Sequence, residues 1–276
     1  MHIDLIKPNY CVAKKTHIGK GKNKTPILIV TPKNKPEKAP CVLWIHGGGY
    51  VIGLKELVYS SRAMDLLQNL GAVVVSPGYR LALLNPYPAA IDDCYATLLW
   101  IKENADYLGI DPDKIIVGGE SAGGGLCVAV CMKARDEGKV KIKYQLPLYP
   151  MLDNYDTDTS WNNHGKIWNT TFNHFAWNLY LKNTDKDNIP IYASPARQTN
   201  FKDLPPCYTF VGKGEPFYHE TLSYVENLLE AGVKADVDIY DTNVHAFDML
   251  FPRSEVSKKA IDRFNEVTLT IFGEQE

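Results

Sequence analysis

The 276-residue sequence predicts an α/β protein built on a mostly parallel sheet with helices on both faces. Two observations carry this. Short β-rich runs that are apolar on both faces, "CVLWIH", "AVVVSP" and "CYTFVG", alternate with amphipathic helical stretches, the pattern of strands buried between helices. No linker, repeat or low-complexity segment divides the chain, and 276 residues suit one domain, taken as 1–276.

In order, "TPILIV" follows an expected antiparallel hairpin, whose lysine-rich turn "HIGKGKNKTP" reads as a solubilising edge rather than a polyanion arm. "KIIVGG", "YQLPLYP" and "ADVDIY" complete the strands. "PAAIDDCYATLLWIKENA", "SAGGGLCVAVCMKARDEG", "HETLSYVENLLEAG" and "EVSKKAIDRFNEVTLTIF" read as helices. The stretch at about 155–188 breaks the alternation. It is long and aromatic, with a helix near "FNHFAWNLYL", and reads as a reduced helical lid over a site.

The totals exclude several classes. Thirty basic against 32 acidic side chains leave a net charge of −2, which predicts no nucleic-acid partner. No apolar run is long enough to span a membrane, and "MHIDLIKPNY" has no signal-peptide core. The six cysteines are scattered without metal-type spacing, so neither a metal site nor a disulfide framework is expected. Buried thiols and the missing signal segment together predict a cytoplasmic protein.

The chemistry starts at "VGGESAGGGL". Gly119-Glu120-Ser121-Ala122-Gly123 places a serine where a strand hands over to a helix, and glycines two residues either side admit a tight turn. A phosphate-binding loop would need a lysine followed by Ser or Thr, and a dinucleotide fingerprint would sit in the first strand–helix unit. The pattern fits a nucleophile elbow, with the Ala122 amide at a helix N-terminus ready to meet negative charge. Of the downstream histidines 164, 174, 219 and 245, His245 in "NVHAF" lies on the loop after the last strand, placed to reach Ser121 as its base. Glu215 in "GKGEPF" ends the preceding strand in the order Ser, acid, His. Upstream, "WIHGGGY" ends an early strand with three glycines, which makes Gly48 and Gly49 candidate oxyanion donors and leaves His46 to hold the loop. Tyr50, Trp161, Trp168 and Phe217 are candidate substrate contacts.

With these motifs in one order, alongside "VVSPGYRLALLNPYPAAIDDCYATLLWI", "LGIDPDKIIVGGESAGGGL" and "LPLYPMLD", the chain from about Pro40 onward resembles the hormone-sensitive-lipase-like branch of the α/β-hydrolases. The resemblance implies an α/β-hydrolase fold and a triad of Ser121, Glu215 and His245. It also implies an oxyanion hole from Gly48, Gly49 and Ala122, hydrolysis of small short-chain acyl esters, and no cofactor. Departures are specific. Glu120 replaces the usual Asp before the serine, "GYRLALL" replaces a charged pair and a proline, and Glu215 stands where the family usually has Asp. Asp241 and Asp248 are therefore fallback acids. The chain lacks the helices with which relatives usually begin their cap, which predicts a more open site or one covered by another chain; a homodimer is permitted but not required. A non-catalytic ligand-binding relative, or an amidase such as an arylformamidase using the same triad, are the alternatives.

Overall fold

The structure is a computed structural model that describes residues 5–19, 21 and 24–272. The turn of the expected lysine-rich hairpin includes Lys20, Lys22 and Asn23, which lie outside the described residues, as do the first four residues of the opening segment. Its two strands are described. β1 (Cys11–Ile18) pairs antiparallel with β2 (Thr25–Pro32), from Cys11 opposite Pro32 to Ile18 opposite Thr25. Lys14 and Lys15 lie exposed on this edge strand, reaching Tyr107 and Glu56.

Eight strands form one sheet in the order β1-β2-β4-β3-β5-β6-β7-β8. The further strands are β3 (Ala39–Ile45), β4 (Val73–Pro77), β5 (Ile110–Glu120), β6 (Tyr144–Leu148), β7 (Cys207–Gly212) and β8 (Ala235–Tyr240). Every pairing from β4 to β8 is parallel. The sheet has the α/β-hydrolase arrangement, and its central strands are buried on both faces as their unbroken apolar runs require. One face packs on α1 (Ala63–Leu70) and α8 (Glu255–Thr270) through Leu66, Leu67, Ala260 and Phe264. The other packs on α2 (Ala89–Glu103) and α4 (Ala122–Glu137), with α6 (Tyr218–Glu230) beside α4.

Helix ends follow local chemistry. Gly71, Gly109 and Gly138 close α1, α3 (Ala105–Leu108) and α4 in left-handed conformation, which glycine adopts without a side-chain clash. The side chain of Ser254 accepts the Ser257 amide at the start of α8. α1 was not anticipated, because eight residues give barely two turns of periodicity. The stretch 155–188 carries α5 (Thr170–Tyr180), capped by Asn169 accepting from the Phe172 amide, and otherwise runs as turns. All six cysteines are free and buried.

Candidate active site

β5 ends at Glu120 and α4 begins at Ala122, so Ser121 is the whole turn between them. Its φ of +57° and ψ of −121° are strained for a residue with a Cβ, a cost of about 1–3 kcal/mol that the surroundings must hold in place. They do so through the backbone. The Ser121 amide donates to the Leu148 carbonyl at 3.0 Å, and its carbonyl accepts from Gly125 and Met151 at 3.0 Å each. A Cβ on Gly119 or Gly123 would run into the Ile45 carbonyl, which explains the glycines of the elbow.

Two loops at the carboxyl ends of β7 and β8 bring the other groups to Ser121. Glu215 lies in the turn after β7, where its Oε1 accepts the Gly212 amide at 2.7 Å. The amides of Lys213 and Gly214 donate to Tyr240 and Thr242, tying this turn to the loop that carries His245. His245 Nδ1 lies 2.5 Å from Glu215 Oε2, and its Nε2 lies 2.9 Å from Ser121 Oγ. Burial raises the Glu215 carboxyl above its ordinary range; the hydrogen bond and charge of His245 and the Gly212 amide oppose that rise. The fallback acids stand elsewhere: Asp241 is exposed, and Asp248 accepts from the Tyr149 hydroxyl. His174 pairs with Asp156 at the surface and His219 is half exposed, so neither approaches Ser121.

The loop after β3 lies against the elbow. A Cβ on Gly47 would sit 2.9 Å from the Glu120 carbonyl and 3.3 Å from Ser121 Cβ. Gly48 and Gly49 both have positive φ, +112° and +59°, and the Gly48 carbonyl accepts the Val51 and Ile52 amides. The amides of Gly48, Gly49 and Ala122 donate to no other group among the described residues. His46 holds this loop: its ring stacks on Tyr79 at 4.2 Å, its Nδ1 meets the Gly47 carbonyl at 2.8 Å, and Tyr79 donates to the His46 carbonyl.

The four candidate substrate contacts separate. Trp168 lies over Gly49, since a Cβ there would collide with its six-membered ring, and its indole donates to Asn173 at 3.3 Å. Phe217 is fully buried, 5.1 Å from the His245 ring. Tyr50 lies within the core instead, with its hydroxyl spent on the Met151 carbonyl and its ring stacked on Tyr180 at 4.0 Å. Trp161 is 62% exposed and, among the described residues, makes no ring contact with the triad. Ser121 is 6% and His245 5% exposed, with Trp168, Phe217 and Tyr149 packed around the His245 ring. Tyr149, in the quoted "LPLYP", is the site neighbour that sequence reasoning passed over; its register beside Ser121 appears only once β5 and β6 pair.

Among the described residues no cluster of three His, Cys, Asp or Glu could hold a metal ion, and no helix is long and apolar enough to cross a membrane. A mostly parallel sheet carrying Ser121, Glu215 and His245 after the carboxyl ends of β5, β7 and β8, in that chain order, has the arrangement of the α/β-hydrolases. The alpha/beta hydrolase fold family matches residues 42–249, and the chain belongs to it, in its hormone-sensitive-lipase-like branch. It is 34% identical over 223 residues to esterase LipI of Mycobacterium tuberculosis, which covers 79% of this chain and 69% of that protein. It is 31% identical over 247 residues to carboxylesterase NlhH of the same species, across 88% of this chain and 77% of that one. The solved structure of a bacterial heroin esterase superposes with a TM-score of 0.89 at 32% identity, covering 97% of this chain and 86% of that chain. This chain is a carboxylic ester hydrolase.

Proposed function

We propose that the chain hydrolyses small esters of short carboxylic acids through a covalent acyl-enzyme on Ser121. The observation that carries this reading is the continuous line Glu215–His245–Ser121, with spacings of 2.5 and 2.9 Å. With Glu215 ionised and accepting the Nδ1 proton, the Nε2 lone pair faces the Ser121 hydroxyl.

As Ser121 Oγ attacks the ester carbonyl carbon, its proton passes to Nε2 and the carbonyl π pair moves to oxygen. The amides of Gly48, Gly49 and Ala122 meet that oxyanion. Collapse breaks the bond to the alcohol oxygen, which leaves with the proton from Nε2. Water then gives a proton to Nε2 as its oxygen attacks the acyl carbon. The second collapse frees the carboxylic acid and returns the proton to Ser121.

Trp168 over the oxyanion loop and Phe217 beside His245 support the short-acyl preference, since both restrict the room above Ser121. The test is release of p-nitrophenol from acetate, butyrate, octanoate and laurate esters. The acetate and butyrate should be cleaved best, and Ser121→Ala should lose about 10⁶-fold in kcat. Trp168→Leu should shift the preference toward octanoate. Preferential cleavage of laurate by the wild type would overturn the chain-length reading. An active Ser121→Ala, or a wild type that cleaves nothing, would overturn the mechanism and turn attention to amides or to ligand binding.

A further inference from the structure

His245 has a second buried carboxylate close by that the proposed mechanism does not use. Asp248, three residues on in α7 (Phe247–Leu250), is fully buried. Its Oδ1 accepts the Tyr149 hydroxyl at 2.8 Å, and its Oδ2 pairs with Arg62 Nε at 3.2 Å. Arg62, just before α1, pairs in turn with Asp65 at 2.8 Å. A buried ion pair contributes little net stability on average, because desolvation offsets the attraction.

Tyr149 connects that cluster to the catalytic groups. It follows directly on Leu148, whose carbonyl accepts the Ser121 amide, and its own amide donates to Phe210 on β7. Its φ is +35°, a conformation a tyrosine keeps only where its surroundings hold it. Its ring stands nearly perpendicular to the His245 ring, at 79° and 5.2 Å. Phe217 meets the same imidazole at 79° and 5.1 Å, but Phe217 has no polar anchor. The tyrosine hydroxyl is held by Asp248, whose other oxygen lies in an ion pair with Arg62 but is not hydrogen-bonded to it.

We propose that Asp248 and Tyr149 are positioning residues for ester hydrolysis: Arg62 orients the Asp248 carboxylate, the carboxylate anchors the Tyr149 hydroxyl, and the Tyr149 ring keeps His245 aligned between Glu215 and Ser121. The inference rests on the triad reading above. The charged and titratable groups facing Asp248 come from four places: Arg62 and Asp65 at α1, Glu120 at the end of β5, Tyr149 after β6, and Glu215 after β7. Burial raises the Asp248 carboxyl, while Arg62, the Tyr149 hydroxyl and the amides of Met249 and Asp248 oppose the rise.

The test compares full-length Tyr149→Phe and Asp248→Asn with the wild type. Active sites are titrated with a fluorophosphonate, and kcat and KM are measured on p-nitrophenyl acetate. Thermal midpoints and the low-field proton resonance of the Glu215–His245 hydrogen bond are recorded alongside. Each variant should lose about ten- to a hundredfold in kcat per titrated site, the scale expected when a catalytic group is misplaced by a fraction of an ångström to an ångström. KM should stay within about twofold, and the low-field resonance should shift or broaden. A fall in thermal midpoint alone, with kcat per site and the resonance unchanged, would overturn the proposal and leave the cluster a purely structural one. Should Tyr149→Phe not fold, Asp248→Asn, which keeps the shape and an acceptor, decides by the same readouts. A wild type without ester turnover would sink the triad reading instead, and the resonance would still decide the positioning.

Discussion

Two histidines of this protein are buried on loops after β3 and β8, and their surroundings differ. His46 follows β3 and stacks on Tyr79; its ring bonds only to the Gly47 carbonyl through Nδ1, and its Nε2 has no hydrogen-bond partner among the described residues. Burial holds its pKa down to about 4, so it stays neutral. His245 is just as buried, but Glu215 sits against one ring nitrogen and Ser121 against the other. Burial without a facing carboxylate leaves the His46 ring a packing piece; on the proposed mechanism, the carboxylate beside His245 is what suits that ring to act as a base.

The sharpest way to break this contrast is to remove the feature that distinguishes the two. Glu215→Gln keeps the shape of the acid loop but presents an uncharged amide to Nδ1, so kcat on a short ester should fall about 10³- to 10⁴-fold. His46→Phe keeps a ring against Tyr79, and its loss should be at least about ten times smaller than that. It should instead change stability with pH. Because folding depresses the His46 pKa from 6.5 to about 4, its contribution is fully present above pH 6.5 and is lost as pH falls toward 4. Thermal melts of the wild type across that window should therefore drop on the acid side more steeply than those of His46→Phe. Equal kinetic losses in the two variants would end the distinction.

On the proposed mechanism the His46 loop contributes through its amides, and a second substitution tests that point. Gly49 has φ +59°, and a Cβ there meets Trp168. Gly138, at the end of α4, has nearly the same φ of +63° but nothing within 4 Å of an added Cβ. Backbone strain is thus matched while the surroundings differ. Gly138→Ala should cost about 1 kcal/mol of stability and leave kcat alone. Gly49→Ala should cost about 10²-fold in kcat, the scale of losing one oxyanion donor, measured on p-nitrophenyl acetate. A Gly49→Ala enzyme no slower than Gly138→Ala would remove the loop from the oxyanion hole.

The sheet, its longer helices and the segments that carry Ser121, Glu215 and His245 were legible because each is written locally. The elbow glycines are demanded by the Ile45 carbonyl beside them, and unbroken apolar runs mark strands covered on both faces. What escaped depends on packing between distant segments. Arg62, Tyr149 and Asp248 come from three separate elements, and Asp248 entered only as a spare acid because its closeness to His245 in sequence says nothing of its partners. Tyr50 and Trp161 show the same limit. An aromatic residue beside a glycine loop, or within a lid, carries no sign of whether it faces the site, the core or solvent.

Glu120 joins the legible part to the hidden one, since it lies in the elbow but its side chain turns toward the cluster around Asp248. Its Oε1 accepts the Trp44 indole at 2.8 Å. Burial, reinforced by the charge of Asp248, raises its pKa to about 8, although Trp44 and Arg62 work the other way. A carboxyl with a folded pKa raised from 4.5 to about 8 gives its full stabilising contribution below pH 4.5. That contribution is lost progressively as pH rises through 8, where the unfolded chain is already ionised and the folded one must give up its proton. Glu120→Gln keeps an acceptor for Trp44 and cannot ionise. Its thermal midpoint should therefore gain on that of the wild type as pH increases from about 5 to about 8, and the gain should level off above that. A difference independent of pH would mean that Glu120 is already ionised beside Ser121 at neutral pH, and that Arg62 compensates two carboxylates rather than one.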